Sequence, residues 1–201
     1  MNYGQIRTHF KALLNRSDIT DALADTFIEQ GIARIQRSLR IPSMEKQHNY
    51  TFSTQTTKVT LPSDFLETID LYFQNVALTR LPMREMQTYL DGGASGNPLY
   101  FTREGGNYLL YPQPSGGSLS LNYYATFSDL SSDAAENALT QVAPDLILYS
   151  ALTYASDYYL DDRSDLWAAK YFSFADEIQS QAREQELTGT IQQMRPAYSI
   201  D

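Results

Sequence analysis

The sequence predicts an α+β fold: a helical bundle formed by the N- and C-terminal helices, an inserted antiparallel β domain, and an extended C-terminal arm. Three observations carry this. Apolar residues recur at helical spacing near both ends of the chain. Between those ends they alternate with polar residues at period two, punctuated by Gly and Pro. The closing stretch TIQQMRPAYSID holds Pro196 and shows no helical period. The expected divisions are residues 1–46 (helices), 47–127 (β domain), 128–189 (helices) and 190–201 (arm).

Two helices open the chain. In the first, Asn2 caps and Gln5 follows three residues later, as in a capping box. Ile6, Phe10, Leu13 and Leu14 then fall on one face. In the second, Ser17 or Asp18 caps a segment from Ile19 to about Arg40. Its apolar stripe is Ile19, Leu23, Phe27, Ile28, Ile32, Ile35 and Leu39. Gly31 inside it suits close approach of a neighbouring helix, and Pro42 ends it.

The period then changes. Tyr50 and Phe52 alternate with Asn49 and Thr51, and Lys58–Leu61 is expected to pair back as a hairpin. Ile69, Leu71 and Phe73 alternate with Asp70 and Tyr72. Met83–Leu90 reads as a short helix, followed by a Gly-rich loop to Pro98 expected to be mobile. Leu99–Phe101 and Tyr108–Tyr111 flank a hairpin turn at Glu104-Gly105-Gly106-Asn107. Leu119, Leu121, Tyr123 and Ala125 alternate along the last strand.

Helices return after Ser128. Leu139 introduces a short connection, and Pro144 suits a first helical position. Ile147, Ala151, Tyr154 and Tyr158 are expected along one face of the next helix. The last should run from Ser164 to Leu187 on a stripe of Trp167, Tyr171, Phe174 and Ile178, with Gly189 as its stop.

Composition narrows function. The 201 residues hold 15 Tyr and no Cys, which excludes disulfides, cysteine-based metal centres and thiol catalysis. A cysteine-free chain fits a reducing compartment. The opening MNYGQIRTHF lacks the apolar core of a secretory signal, and no apolar run is long enough to suggest a membrane span. The net charge is −9, and residues 128–201 alone carry 13 acidic and 4 basic side chains. That balance argues against tight nucleic-acid binding, which draws on cationic neutralisation of phosphates. It suits a channel along which DNA must slide. Tyrosine, with an apolar body and a polar tip, suits surfaces that are wet alone and buried in an assembly.

Catalytic and metal motifs are sparse. His9, on the first helix, and His48, before the first strand, belong to no metal motif. Gly92–Gly96 lacks the Lys and Ser/Thr of a phosphate loop. Asp157, Asp161, Asp162 and Asp165 crowd a helix corner; calcium is one occupant to weigh. Their spacing departs from an EF-hand, and Arg163 competes as counter-ion. Asp64 and Glu67 form a carboxylate pair of the kind glycoside hydrolysis uses. No cofactor is expected. In the arm, Met194, Arg195, Pro196, Tyr198 and Ile200 are candidate partner-binding residues, either in a frayed end or ordering on a partner by strand addition.

Four stretches, in order, carry a resemblance. They are Tyr3-Gly4 through Leu14-Asn15-Arg16 to Ile35–Arg40; Leu61-Pro62-Ser63-Asp64-Phe65-Leu66-Glu67; Pro98–Phe101 with Leu110-Tyr111-Pro112-Gln113-Pro114 and Leu121–Tyr124; and Pro144–Leu152 with Tyr159–Asp162 and Trp167. Together they resemble the head-to-tail adaptor (connector) proteins of tailed bacteriophages, especially the short-tailed type. The resemblance implies a structural, non-enzymatic subunit of a ring, usually dodecameric, docked beneath the portal protein. The helices would meet the portal, the β domain the downstream tail or nozzle protein, and the arm the portal or a neighbouring identical subunit. DNA would pass through the channel without sequence-specific binding. The place of action would be the head–tail interface of the virion, with assembly in the host cytoplasm. The competing readings are a virion module recognising carbohydrate or protein through strand aromatics such as Tyr100 and Tyr108, and a cell-wall glycosidase.

Overall fold

A computed structural model describes residues 1–187. The chain divides into two compact units. One comprises Met1–Pro42 together with the chain from Asp129 onward, and the other Ser43–Ser128.

The first unit is helical. Helix α1 (Tyr3–Leu14) opens on the expected capping box: the Asn2 side chain accepts from the Gln5 amide at 2.9 Å, and the Gln5 side chain accepts from the Asn2 amide at 3.1 Å. It buries Tyr3, Ile6, Phe10 and Leu14; Leu13 turns outward, off the expected face. Helix α2 (Asp21–Ser38) starts later than expected. Its cap is Thr20, whose hydroxyl accepts from the Leu23 amide at 3.2 Å. Asp18 is engaged instead by Arg16 at 3.0 Å. Ile19 is buried ahead of the helix. The helix also stops before Arg40. Leu39 is already extended (φ −100°, ψ 140°), and Pro42 opens a 3-10 turn, Pro42–Met44.

Helices α4 (Ala138–Val142), α5 (Pro144–Tyr159) and α6 (Ser164–Leu187) complete this unit if the short helix of the β unit is counted as α3 (Met83–Leu90). The connection expected at Leu139 is itself the helix α4, capped by Asn137, which accepts from the Thr140 amide at 3.0 Å. Helix α5 is the centre of the bundle, in contact with α1, α2, α4 and α6. A helix covered on several sides cannot be amphipathic, so the single expected stripe is replaced by burial almost all round. Leu146, Ile147, Leu148, Ser150, Ala151, Leu152, Ala155 and Ser156 are buried, whereas Tyr158 is exposed. Each fully buried aliphatic side chain contributes roughly 1.5–3 kcal/mol. Gly31 lets α2 approach α5: a β carbon there would stand 2.9 Å from the Ala151 backbone nitrogen. Helix α6 keeps its stripe through Trp167, Tyr171, Phe174, Ile178 and Ala182, of which Phe174 and Ile178 are half-buried.

The second unit is two four-stranded sheets that share one apolar core. The first sheet runs β1 (Glu45–Phe52), β8 (Gly117–Ala125), β3 (Phe65–Phe73), β4 (Val76–Ala77). The second runs β2 (Lys58–Thr60), β7 (Asn107–Tyr111), β6 (Tyr100–Glu104), β5 (Thr79–Arg80). Strand β8 buries Leu119, Leu121, Tyr123 and Ala125 in strict alternation, as its pattern predicts. Leu71 and Phe73 of β3 and Phe101, Tyr108 and Leu110 of the second sheet complete the core.

Two strand expectations change. Lys58–Thr60 does not pair back on β1; β1 runs antiparallel to β8 over its whole length, and β2 crosses to the other sheet to pair with β7. The side chains of Lys58 and Glu104 form an ion pair there, and Thr60 donates to Asn107 at 3.0 Å. Ile69 leaves the core because the β3–β8 register shifts between Thr68 and Asp70, a bulge that turns it outward. In the Gly-rich loop before Pro98, Gln113 donates to the Ala94 carbonyl and accepts from the Gly96 amide, both at 3.0 Å. At Gly117, φ is +95° and a β carbon would meet the Phe73 ring at 2.8 Å, so only glycine fits.

Candidate interaction surfaces

The α5–α6 corner is held by one arginine. Helix α5 closes on Leu160, in the left-handed conformation (φ 52°, ψ 49°), its amide donating to the Ser156 carbonyl. Asp161 follows and accepts from the Arg163 side chain at 2.7 and 2.9 Å and from its amide at 3.0 Å. Those side-chain and backbone hydrogen bonds hold the Asp161 carboxyl well below the usual range, at about 2. The same guanidinium reaches α1. It donates to the Leu14 carbonyl at 3.0 Å and the Leu13 carbonyl at 3.4 Å, and sits 4.5 Å from the Trp167 ring centre. The last carbonyls of a helix lack partners within it and form its negative end, so a cation belongs there. On the adjoining α1–α2 loop, the Arg16 guanidinium lies 4.1 Å from the Tyr159 ring centre.

The expected acidic cluster is therefore divided. Asp161 is committed to Arg163, while Asp157, Asp162 and Asp165 are exposed. Among the described residues, no group of His, Asp and Glu is arranged to hold a metal ion.

Asp64 is not placed as the general acid of a glycoside-hydrolysing pair. Asp64 accepts from Lys46 at 2.7 Å and from the Tyr123 hydroxyl at 3.0 Å. Burial pushes its carboxyl up, but these hydrogen bonds and the Lys46 charge outweigh burial and leave it below the usual carboxylate range. A general acid needs the opposite shift. Burial first, and Asp64 second, push the Tyr123 phenol up to about 12. Glu67, exposed on β3, stands in register with Tyr124.

His48 lies inside β1, not before it, with its ring edge-on to Tyr50 at 4.5 Å. His9 is exposed on α1. It lines an open groove of about 1010 Å³ with Arg7, Lys11, Asp21 and Asp133. The two cations there are paired. Arg7 contacts Asp25 at 3.0 Å and also Asp133, and Lys11 contacts Asp21 at 2.6 Å.

Tyr108 is not a surface aromatic. It is 2 % exposed, edge-on to Phe101 at 5.1 Å, with its hydroxyl on that of Thr68. Tyr100 is half-buried and stacks on Tyr89 at 5.4 Å; its cross-strand partner Tyr111 also lies 5.4 Å from Tyr89. Strand alternation cannot tell which face of a two-sheet unit is interior, and Tyr108 falls on the interior one. Leu160 and the reach of Arg163 to α1 carry no local signal, because both depend on how the helices meet.

Met194, Arg195, Pro196, Tyr198 and Ile200, together with Gly189, lie outside the described residues. No curated protein matches this chain. A protein-family model does, over residues 1–195, and its description is SU10 adaptor protein.

Proposed function

Since the chain belongs to the SU10 adaptor protein family, we propose that it is a ring subunit, in a dodecamer beneath the portal, that joins portal to tail and continues the DNA channel. The chain is a bacteriophage adaptor, a structural part of virion assembly. The family match across nearly the whole chain carries the reading. Membership points to a structural protein rather than an enzyme, in keeping with an Asp64 carboxyl shifted the wrong way for a general acid.

The partners in this reading are the portal, the downstream tail or nozzle protein, and identical subunits. The arm at 190–201, through Met194, Arg195, Pro196, Tyr198 and Ile200, grips the portal or a neighbouring subunit. The net charge of −9 supports a lumen that does not hold DNA. The site of action is the virion, reached by assembly in the host cytoplasm. Among the described residues no helix is long and apolar enough to cross a membrane.

The test is direct. Mix purified protein with its cognate portal and image the product. A ring of this protein stacked on the portal supports the proposal. Monomers that ignore the portal sink it.

A further inference from the structure

Each of the two sheets ends in two edge strands, and three of the four are too short to recruit a neighbour. Strands β4 and β5 hold two residues each and β2 three. Short edges are one way in which folds avoid pairing with other chains. Strand β1 is the exception. It keeps eight residues, Glu45–Phe52, in unbroken register with β8, so no bulge twists its far side away. It holds no proline, and its formal charge is confined to Glu45 and Lys46. Lys46 is drawn to Asp64. Among the described residues no strand lies beyond β1. Lys46 and His48 are exposed although their partners on β8, Tyr123 and Leu121, are buried. Half of a strand's backbone N–H and C=O groups point to each side, so an open edge offers donors and acceptors to another extended segment.

The chain carries such a segment outside the described residues. From Met194 to Asp201, apolar or amphipathic residues fall at every second place: Met194, Pro196, Tyr198 and Ile200, with Arg195, Ala197, Ser199 and Asp201 between them. That is the period of a strand with one apolar face, over the same length as β1. In an extended segment, alternate residues also turn their N–H groups to the same side. Arg195, Ala197, Ser199 and Asp201 can then all donate to one edge, while Pro196, which has no N–H, falls among those that face away. A proline there also blunts the new edge, so pairing stops after one added strand. Residues 188–193 allow a tether of up to about 20 Å beyond α6.

We propose that residues 194–201 of one copy add as a strand to the open edge of β1 in the neighbouring copy, their apolar side chains extending the face of Tyr50 and Phe52. The neighbouring copy as partner rests on the ring reading above. The edge and the arm are unlike surfaces, so the contact is head-to-tail, the kind that propagates round a ring. Pairing β1 with β1 of a second copy would instead make a twofold dimer and stop there.

The experiment uses the full chain on purified portal rings and reads hydrogen exchange at the β1 amides. Exchange at alternate amides of Glu45–Phe52 should slow about tenfold or more between the isolated chain and the ring. The chain has no cysteine, so introduced thiols report alone. Chains carrying only Gln47→Cys are mixed with chains carrying only Ser199→Cys, and the assembled ring is treated with a short bis-maleimide. The product should join one chain of each kind. Ser199→Pro removes an N–H aimed at β1 without touching the described residues. Its Tm should hold, while about tenfold more protein is needed to fill the portal ring. Amides of β1 that exchange as fast in the ring as in the isolated chain overturn strand addition and leave the adaptor reading standing. Slowed exchange without the mixed product hands the edge to a portal or tail segment, and a product joining two Gln47→Cys chains makes it a twofold contact; either overturns the proposal. A wild-type chain that forms no ring on the portal sinks the ring reading, and the neighbouring copy with it.

Discussion

Ser150 donates its hydroxyl to the carbonyl of Gly31 at 3.1 Å, across the closest approach of α2 and α5. Both residues are buried, and the missing β carbon of Gly31 is what allows the contact. Gly31→Ala would place a carbon 2.9 Å from the Ala151 nitrogen, which belongs to backbone and cannot rotate away. The variant should lose about 1–3 kcal/mol, read as a lower urea midpoint with unchanged slope. Ser150→Ala should lose about 1 kcal/mol, the value of one buried hydrogen bond. The double variant should show coupling, because the two share one contact.

Arg163→Met removes the cation from the end of α1 and the partner from Asp161. Arg163 is 43 % exposed at its side chain, so solvent screens the pair and the loss should be modest, about 1 kcal/mol. Its pH dependence is more diagnostic. The folded Asp161 carboxyl sits at about 2, below the roughly 3.9 of an unfolded chain. The depressed value means that this contribution is complete above about pH 4 and disappears as pH falls toward 2. The wild type should therefore lose stability over that window more steeply than Arg163→Met. Parallel acid titrations of the two would refute the assignment.

Asp64→Asn tests the enzyme alternative together with the strand contact. Losing the charge that Lys46 and the Tyr123 hydroxyl engage should destabilise the β unit by about 1 kcal/mol. Because the Asp64 carboxyl is also depressed, the difference from wild type should be present at neutral pH and shrink as acid protonates the native residue. Neither protein should clear a peptidoglycan suspension. Clearing by the wild type that Asp64→Asn abolishes would restore the glycosidase reading.

The elements written in local pattern were legible. The Asn2–Gln5 box, Pro144 at the head of α5, the full span of α6 and the alternation along β8 each follow from residues a few positions apart. What stayed hidden depends on distant neighbours. Lys58–Thr60 pairs with a strand some fifty positions on, between Lys58 and Leu109, and nothing in its own three residues names that partner. Ile69 obeys the alternation but is displaced by a bulge set against β8. The α2 cap is Thr20, while Asp18 pairs with Arg16. On the functional side, the acidic corner was visible as composition, and Arg163 as its counter-ion. The exposed left-handed Leu160 was not, because the conformation of a helix end depends on how the next helix leaves it.

Removing residues 190–201 tests the arm. The segment carries Met194, Pro196, Tyr198 and Ile200, apolar or amphipathic side chains that an assembly can bury, and Arg195, which can pair with an acidic rim. The helical unit should fold without it, since the core residues named on α1, α2, α5 and α6 all precede residue 190. The truncated chain should keep its Tm and its far-ultraviolet spectrum yet bind portal rings at least tenfold more weakly, mainly through faster dissociation. A truncation that leaves affinity unchanged would reduce residues 190–201 to a terminus without a part in docking.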